Sequence, residues 1–178
     1  MNRRNAVLLF ALLTPAAAFA QADRQSARPA VGIAAVKPLY DEVRGFLIKS
    51  AEMIAETDLA FKPVATVRSY GEILGHLANE NYDFCAAAVG AKSPRTIDFE
   101  KITSKSEMVR ALKGAFAYCD AAYGISERDA MGETTLFGTK GSKLWVLNYN
   151  VAHDNEHYGN LVTYLRIKGL VPPSSTGN

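Results

Sequence analysis

The sequence predicts an all-α fold, a bundle of four long antiparallel helices. Three observations carry that expectation. Four stretches of roughly 18 to 27 residues repeat their apolar side chains with the 3.6-residue rhythm of a helix. Each is bracketed by residues suited to starting or stopping a helix. Alternating strand patterns between them are scarce.

The N-terminus stands apart from that bundle. Arg3 and Arg4 precede an apolar run at 6–13, and Ala18-Phe19-Ala20 fits a small-x-small cleavage site, so residues 1–20 read as a signal peptide. The run is too short to span a bilayer, and no cysteine follows the cleavage site to take a lipid. The expectation is an exported chain, periplasmic or secreted, that begins at Gln21. About 158 residues then remain, enough for one domain with one core. Residues 21–36, rich in Ala, Arg, Ser and Gln, read as a flexible arm, and 37–178 as the bundle domain.

The first helix is expected to begin at Pro38, which suits a first helical position, and to end near Thr57-Asp58. Leu39, Val43, Phe46, Leu47, Ser50 and Ile54 form its inward stripe. A connection at 59–68, broken by Pro63, leads to Ser69, which caps the second helix while Glu72 reaches back in a capping box. Ile73, His76, Leu77, Glu80 and Phe84 face inward, and Gly90 closes the helix. After a connection containing Pro94, Ser104-Lys105-Ser106-Glu107 repeats the capping box for a third helix. Val109, Leu112, Phe116, Cys119 and Tyr123 are its stripe, and Gly124 its stop. Residues 126–130 hold a short turn of helix, and 132–141 a loop or brief extended piece. The fourth helix covers 142–168; Arg166 and Lys168 complement its negative end, and Gly169, Pro172 and Pro173 end it.

Charge excludes one class of partner. The 20 basic and 18 acidic residues become even once Arg3 and Arg4 are set aside, and no basic stripe for nucleic acid remains. Cys85 and Cys119 are open to two readings in an exported protein, a disulfide between helices or a pair of buried thiols.

The fourth helix carries His153-Asp154-Asn155-Glu156-His157. Histidines at i and i+4 share one face, about 6 Å apart along the axis, and can converge on one ion. The third histidine of the chain, His76, falls on the inward stripe of the second helix. Three imidazoles from two helices leave an open metal position, as in catalytic zinc sites. Helical phase places Tyr149, Asn160 and Tyr164 within about 40° of this pair, a face too polar for a plain core. Glu80, one turn from His76, and Asn160 are candidates for a fourth ligand or for orienting an imidazole. Cys85 lies about 180° from His76 and is disfavoured as a ligand. The pentad also matches H-x-x-E-H with Glu156 as general base, but Glu156 points about 60° off the His153 direction.

The Gly75-His76-Leu77 setting, the His153/His157 pair with Gly159 and Asn160, and the tail Tyr164-Leu165-Arg166, Gly169, Pro172-Pro173 form a pattern. From about residue 38 to 175 the chain resembles the DinB-like (damage-inducible) metal-binding four-helix bundles. The resemblance implies an up-down-down-up bundle and a His76/His153/His157 site for a divalent metal, zinc or nickel. It further implies thiol-dependent transfer or isomerisation as the activity of characterised relatives. Tyr158 and Asn160 stand where the common family version has arginine and glutamine.

Two functions follow as expectations. The first is a metal-dependent thiol transferase or hydrolase, in which the ion acidifies a thiol or water. The second is a non-catalytic metal-binding or helical interaction protein, since no free histidine remains as a base. The partners expected are a small-molecule substrate and a second copy of the chain in a homodimer. Nucleic acid and stable membrane insertion after leader cleavage are not expected.

Overall fold

The computed structural model describes residues 30–176; the expected leader at 1–20 and residues 21–29 of the arm lie outside them. Four long helices build the bundle: α1 (Ile33–Met53), α2 (Tyr70–Val89), α3 (Lys105–Ala122) and α5 (Lys143–Ile167). A single helical turn, α4 (Glu127–Ala130), and an antiparallel hairpin of β1 (Glu133–Leu136) and β2 (Thr139–Ser142) occupy the last connection. Among the described residues no helix is long and apolar enough to cross a membrane.

Side-chain pairings fix the helix directions. Tyr70 meets Tyr164, His76 meets His157 and Phe84 meets Tyr149, so α2 and α5 run antiparallel. Tyr40 stacks on Tyr123 while Glu52 pairs with Lys113, so α1 and α3 are antiparallel too. Tyr82 packs on Tyr118 and Cys85 bonds to Cys119, which sets α2 beside α3 in the same direction. The order is up-down-down-up. Tyr40, Leu47, Leu77, Phe84, Leu112, Phe116 and Leu147 are buried along the axis, each contributing roughly 1.5–3 kcal/mol by leaving water.

Three boundary expectations are corrected. Helix α1 begins at Ile33, five residues before Pro38, so the last four residues of the expected arm are helical. The cause is remote in sequence: the Glu127 carboxylate of α4 accepts from the Ile33 and Ala34 N–H groups at 3.2 Å each, occupying donors that a helix start leaves free. The helix stops at Met53, and Glu56–Asp58 form a separate 3-10 turn. Leu39, expected on the inward stripe, is exposed, and Tyr40 is buried beside it. The capping box of α3 does not form, because the Ser104 hydroxyl lies against the Ser106 hydroxyl at 3.1 Å instead of the helix N–H groups.

The two cysteines form a disulfide, with their Cα atoms 5.2 Å apart. Of the two readings the sequence left open, the bridge is the one adopted. The hairpin turns at Phe137-Gly138, both with positive φ (48° and 80°), the twist that suits a two-residue connection.

Candidate metal centre

The capping box of α2 is complete: Glu72 N–H donates to Ser69 Oγ (3.1 Å), and Ser69 N–H to Glu72 Oε2 (2.6 Å). Two turns further along that helix, His76 faces α5, where His153 and His157 stand on one face. Their Nε2 atoms converge. His153 Nε2 lies 3.1 Å from His76 Nε2 and 3.1 Å from His157 Nε2, and one ligand atom from each residue lies within 4.8 Å of the others. Bonds of about 2.0–2.1 Å at tetrahedral angles would put ligand nitrogens about 3.3 Å apart. The observed spacing fits a metal ion with three imidazole ligands.

The surroundings favour neutral imidazoles. Burial is the largest cause that holds all three below the ordinary histidine pKa, helped by the Arg68 charge; His153, flanked also by the other two histidines, falls to about 3. Lone pairs aimed at one point repel unless a cation sits there. The tautomer of His76 is fixed from behind, because its Nδ1–H donates to Glu100 Oε1 at 2.9 Å, turning the Nε2 lone pair toward the other two. For His157 the ligating tautomer places a proton on Nδ1, 3.4 Å from the Asn160 amide. Turned to present its oxygen, that amide accepts it.

Glu100 was not among the residues singled out from sequence. It sits on a 3-10 turn, Phe99–Lys101, in the connection between α2 and α3. Asn79 ties that turn to α2: its amide donates to Asp98 Oδ1 (2.8 Å) and accepts from Phe99 N–H (3.0 Å). Gly75 makes the approach possible. A Cβ there would collide with the Phe99 carbonyl and lie 2.6 Å from Glu100 Cα. The glycine before His76 thus lets the carboxylate behind His76 come close. Glu80, expected in this orienting role, is half-buried and makes no hydrogen bond to the three imidazoles among the described residues; burial raises its carboxyl pKa.

Below the histidines lies a buried polar network. Asp154 Oδ1 accepts from Asn81 Nδ2 (2.8 Å), and Asn81 Oδ1 accepts from Asn150 Nδ2 (3.0 Å). The Tyr123 hydroxyl donates to Asn150 Oδ1 (2.8 Å). Complete burial raises the Asp154 carboxyl to about 8, keeping it neutral, with Asn81 opposing the shift. This network corrects the expected inner face of the fourth helix. Asn150 and Asp154 are buried, whereas Tyr149 and Asn160 are exposed, so the histidines mark the edge of the buried face. Cys85 and Cys119 pair with each other.

The site opens on two unlike flanks. On one, the Phe84 ring packs edge-on against His153 (5.2 Å), Tyr149 (5.4 Å) and Phe137 at the hairpin tip (5.8 Å). On the other, a cavity of about 620 Å³ is lined by Lys62, Arg68, Glu72, Glu100, His157 and Asn160 among others. Lys62, for which the sequence pattern held no signal, and Arg68 reach the cavity from the first connection. Glu156 is exposed.

Comparisons with known proteins agree with this architecture. The chain is similar in fold to a crystal structure of a DinB-like protein from Bacillus cereus ATCC 10987, with a TM-score of 0.69 and 16% identity, covering 80% of this chain and 96% of that one. A DinB-like protein from Bacillus subtilis gives a TM-score of 0.58 and 22% identity, covering 75% of this chain and 91% of that one. At these identities the likeness is one of fold. No curated protein matches the chain. The family model of the DinB superfamily matches residues 39–161, a span that includes all three histidines, the whole of α2 and α5 as far as Leu161, and the chain belongs to that superfamily.

Proposed function

We propose that this chain is an exported metal-dependent enzyme in which His76, His153 and His157 hold a divalent ion, zinc or nickel, at the edge of the 620 Å³ cavity. The observation that carries this reading is the convergence of three Nε2 atoms, 3.1 Å across each His153 contact, beside an open cavity. Such an ion lowers the pKa of a water or thiol and presents it as a nucleophile. Glu100 fixes the His76 ring, Asn160 the His157 ring, and the aromatic flank shields His153 from solvent. The carboxylates lining the cavity are already engaged, Glu72 with Lys62 (2.8 Å) and Glu100 with Arg68 and His76. This favours chemistry in which the nucleophile ionises on the metal without a protein base. Hydrolysis is the first class to test, and thiol transfer the second.

The test begins with bound metal per chain, by elemental analysis, for the wild type and for His76→Ala and His153→Ala. Near-stoichiometric metal in the wild type, lost in both variants, is expected. Ester, phosphoester, amide and thiol-transfer substrates are then screened with and without chelator. A wild type that retains no zinc, nickel or manganese would end the metal reading. A stoichiometric metal protein with no turnover on any of these substrates would favour the non-catalytic alternative.

A further inference from the structure

We propose that Arg68 binds an oxyanion, a carboxylate or phosphate of the substrate, whose other end reaches the ion held by His76, His153 and His157. The inference rests on the metal reading above and names the substrate class that reading leaves open.

Three observations lead to it. Arg68 lines the same cavity as His157 and Asn160. Its Nε donates to Glu100 Oε2 at 3.2 Å, and among the described residues its two terminal nitrogens have no hydrogen-bond partner. The Tyr164 hydroxyl donates to the Arg68 carbonyl at 2.9 Å and anchors that backbone.

The position of the Arg68 guanidinium poses a problem which an anion resolves, because it shares one cavity with His157. A fixed positive charge that shares a carboxylate with His76 opposes a divalent cation at the imidazoles. The direct effect of this charge on the ion is therefore unfavourable. The three ligands are neutral, and Glu100 is shared between Arg68 and His76, so no carboxylate offsets the ion directly. An oxyanion in the cavity benefits from both positive centres at once. Lys62 is the less suited donor, since Glu72 answers its charge at 2.8 Å. The open fork of Arg68 matches the paired oxygens of a carboxylate or phosphate, in a way a lysine does not.

A rival role exists for Arg68: to hold Glu100, and through it His76. The two roles make opposite predictions for the metal. The experiment uses the full chain loaded with cobalt, whose visible spectrum reports ligands entering the open position. Inorganic phosphate, acetate and the neutral acetamide are titrated into wild type, Arg68→Gln and Arg68→Lys. We expect Arg68→Gln to bind cobalt as tightly as wild type or more tightly. The phosphate and acetate Kd values should rise about ten-fold or more, with Arg68→Lys in between and acetamide unaffected. The larger loss, phosphate or acetate, identifies the preferred oxyanion. Anion Kd values within two-fold of wild type in Arg68→Gln overturn the proposal. So does a fall in cobalt affinity with anion binding unchanged, which would assign Arg68 to holding Glu100. A wild type that takes up no cobalt removes the metal reading and this inference with it, and the missing spectrum distinguishes that failure from the others.

Discussion

The Cys85–Cys119 disulfide closes a loop with a sequence separation of 34 residues between α2 and α3. Cross-linking a chain over that length removes unfolded-state entropy equivalent to about 3.8 kcal/mol at 25 °C on the loop-closure model. For a domain of this size the corresponding shift in Tm is about 8–15 °C. The measurement is urea and thermal denaturation of metal-free protein, with and without reductant, which keeps every side chain but the two cysteines identical and leaves out metal linkage. Reduction should lower the urea midpoint without changing the spectrum of the folded state. It should leave the affinity for metal within about three-fold, because Cys85 points about 180° away from His76 on α2. A stability loss below about 1 kcal/mol would refute the entropic argument. A large loss of metal affinity on reduction would refute the claim that the two sites on α2 are independent.

Further outcomes concern the support of His76 and the start of α2. Glu100→Ala should weaken metal binding about 10- to 100-fold in a chelator competition, with the fold unchanged by circular dichroism. Gly75→Ala should weaken it comparably although it touches no imidazole, because the added methyl displaces the turn that carries Glu100; metal affinity unchanged in that variant would separate Gly75 from the site. Glu72 is held below the usual carboxylate range, first by Lys62 and then by the Ser69 N–H. Its stabilising contribution is therefore present above the unfolded carboxyl pKa and lost as pH falls through the lowered folded value. Glu72→Ala should cost about 1 kcal/mol at pH 7 and progressively less on acidification, read from urea midpoints along the acidic range. Phe84→Ala, which empties a buried site between His153, Tyr149 and Phe137, should cost about 3–5 kcal/mol; a loss under 1 kcal/mol would mean the aromatic flank is not packed as described.

What could be read from sequence was whatever repeats with a helix period or is spelled out within a few residues. The four helices, the Ser69–Glu72 box, the Gly90 stop and the i, i+4 histidines are of that kind, and so is His76 in its glycine setting. What escaped depended on residues far apart in the chain. Glu127 extends α1 from more than 90 positions away. Glu100 reaches His76 from a connection with no periodic signal. Asn81 and Asp154 are buried because they satisfy each other, and a hydrophobic pattern scores each as a surface residue. The same blindness misplaced the inner face of α5 by roughly one residue step, since its true centre is polar. The Ser104 box failed for a smaller reason: a neighbouring serine took the hydroxyl.

Helix α2 is tied on two sides by bonds of different kinds. The disulfide fastens it to α3, and an ion held by the three histidines would fasten it to α5. With both in place, three of the four long helices become one covalently and coordinately stapled unit, and α1 is attached to it by packing, hydrogen bonds and ion pairs such as Glu52–Lys113, with no covalent or coordinate tie. Opening should then be hierarchical. In native-state hydrogen exchange, amides of α1 should exchange through a low-energy detachment while α2, α3 and α5 exchange together at a higher free energy. Removing the ion should bring α5 toward the behaviour of α1, and reducing the disulfide should do the same for α3. The helix without ligands or cysteines would then act as the removable stave of the barrel, the point at which a partner, a protease or a chaperone first finds the core.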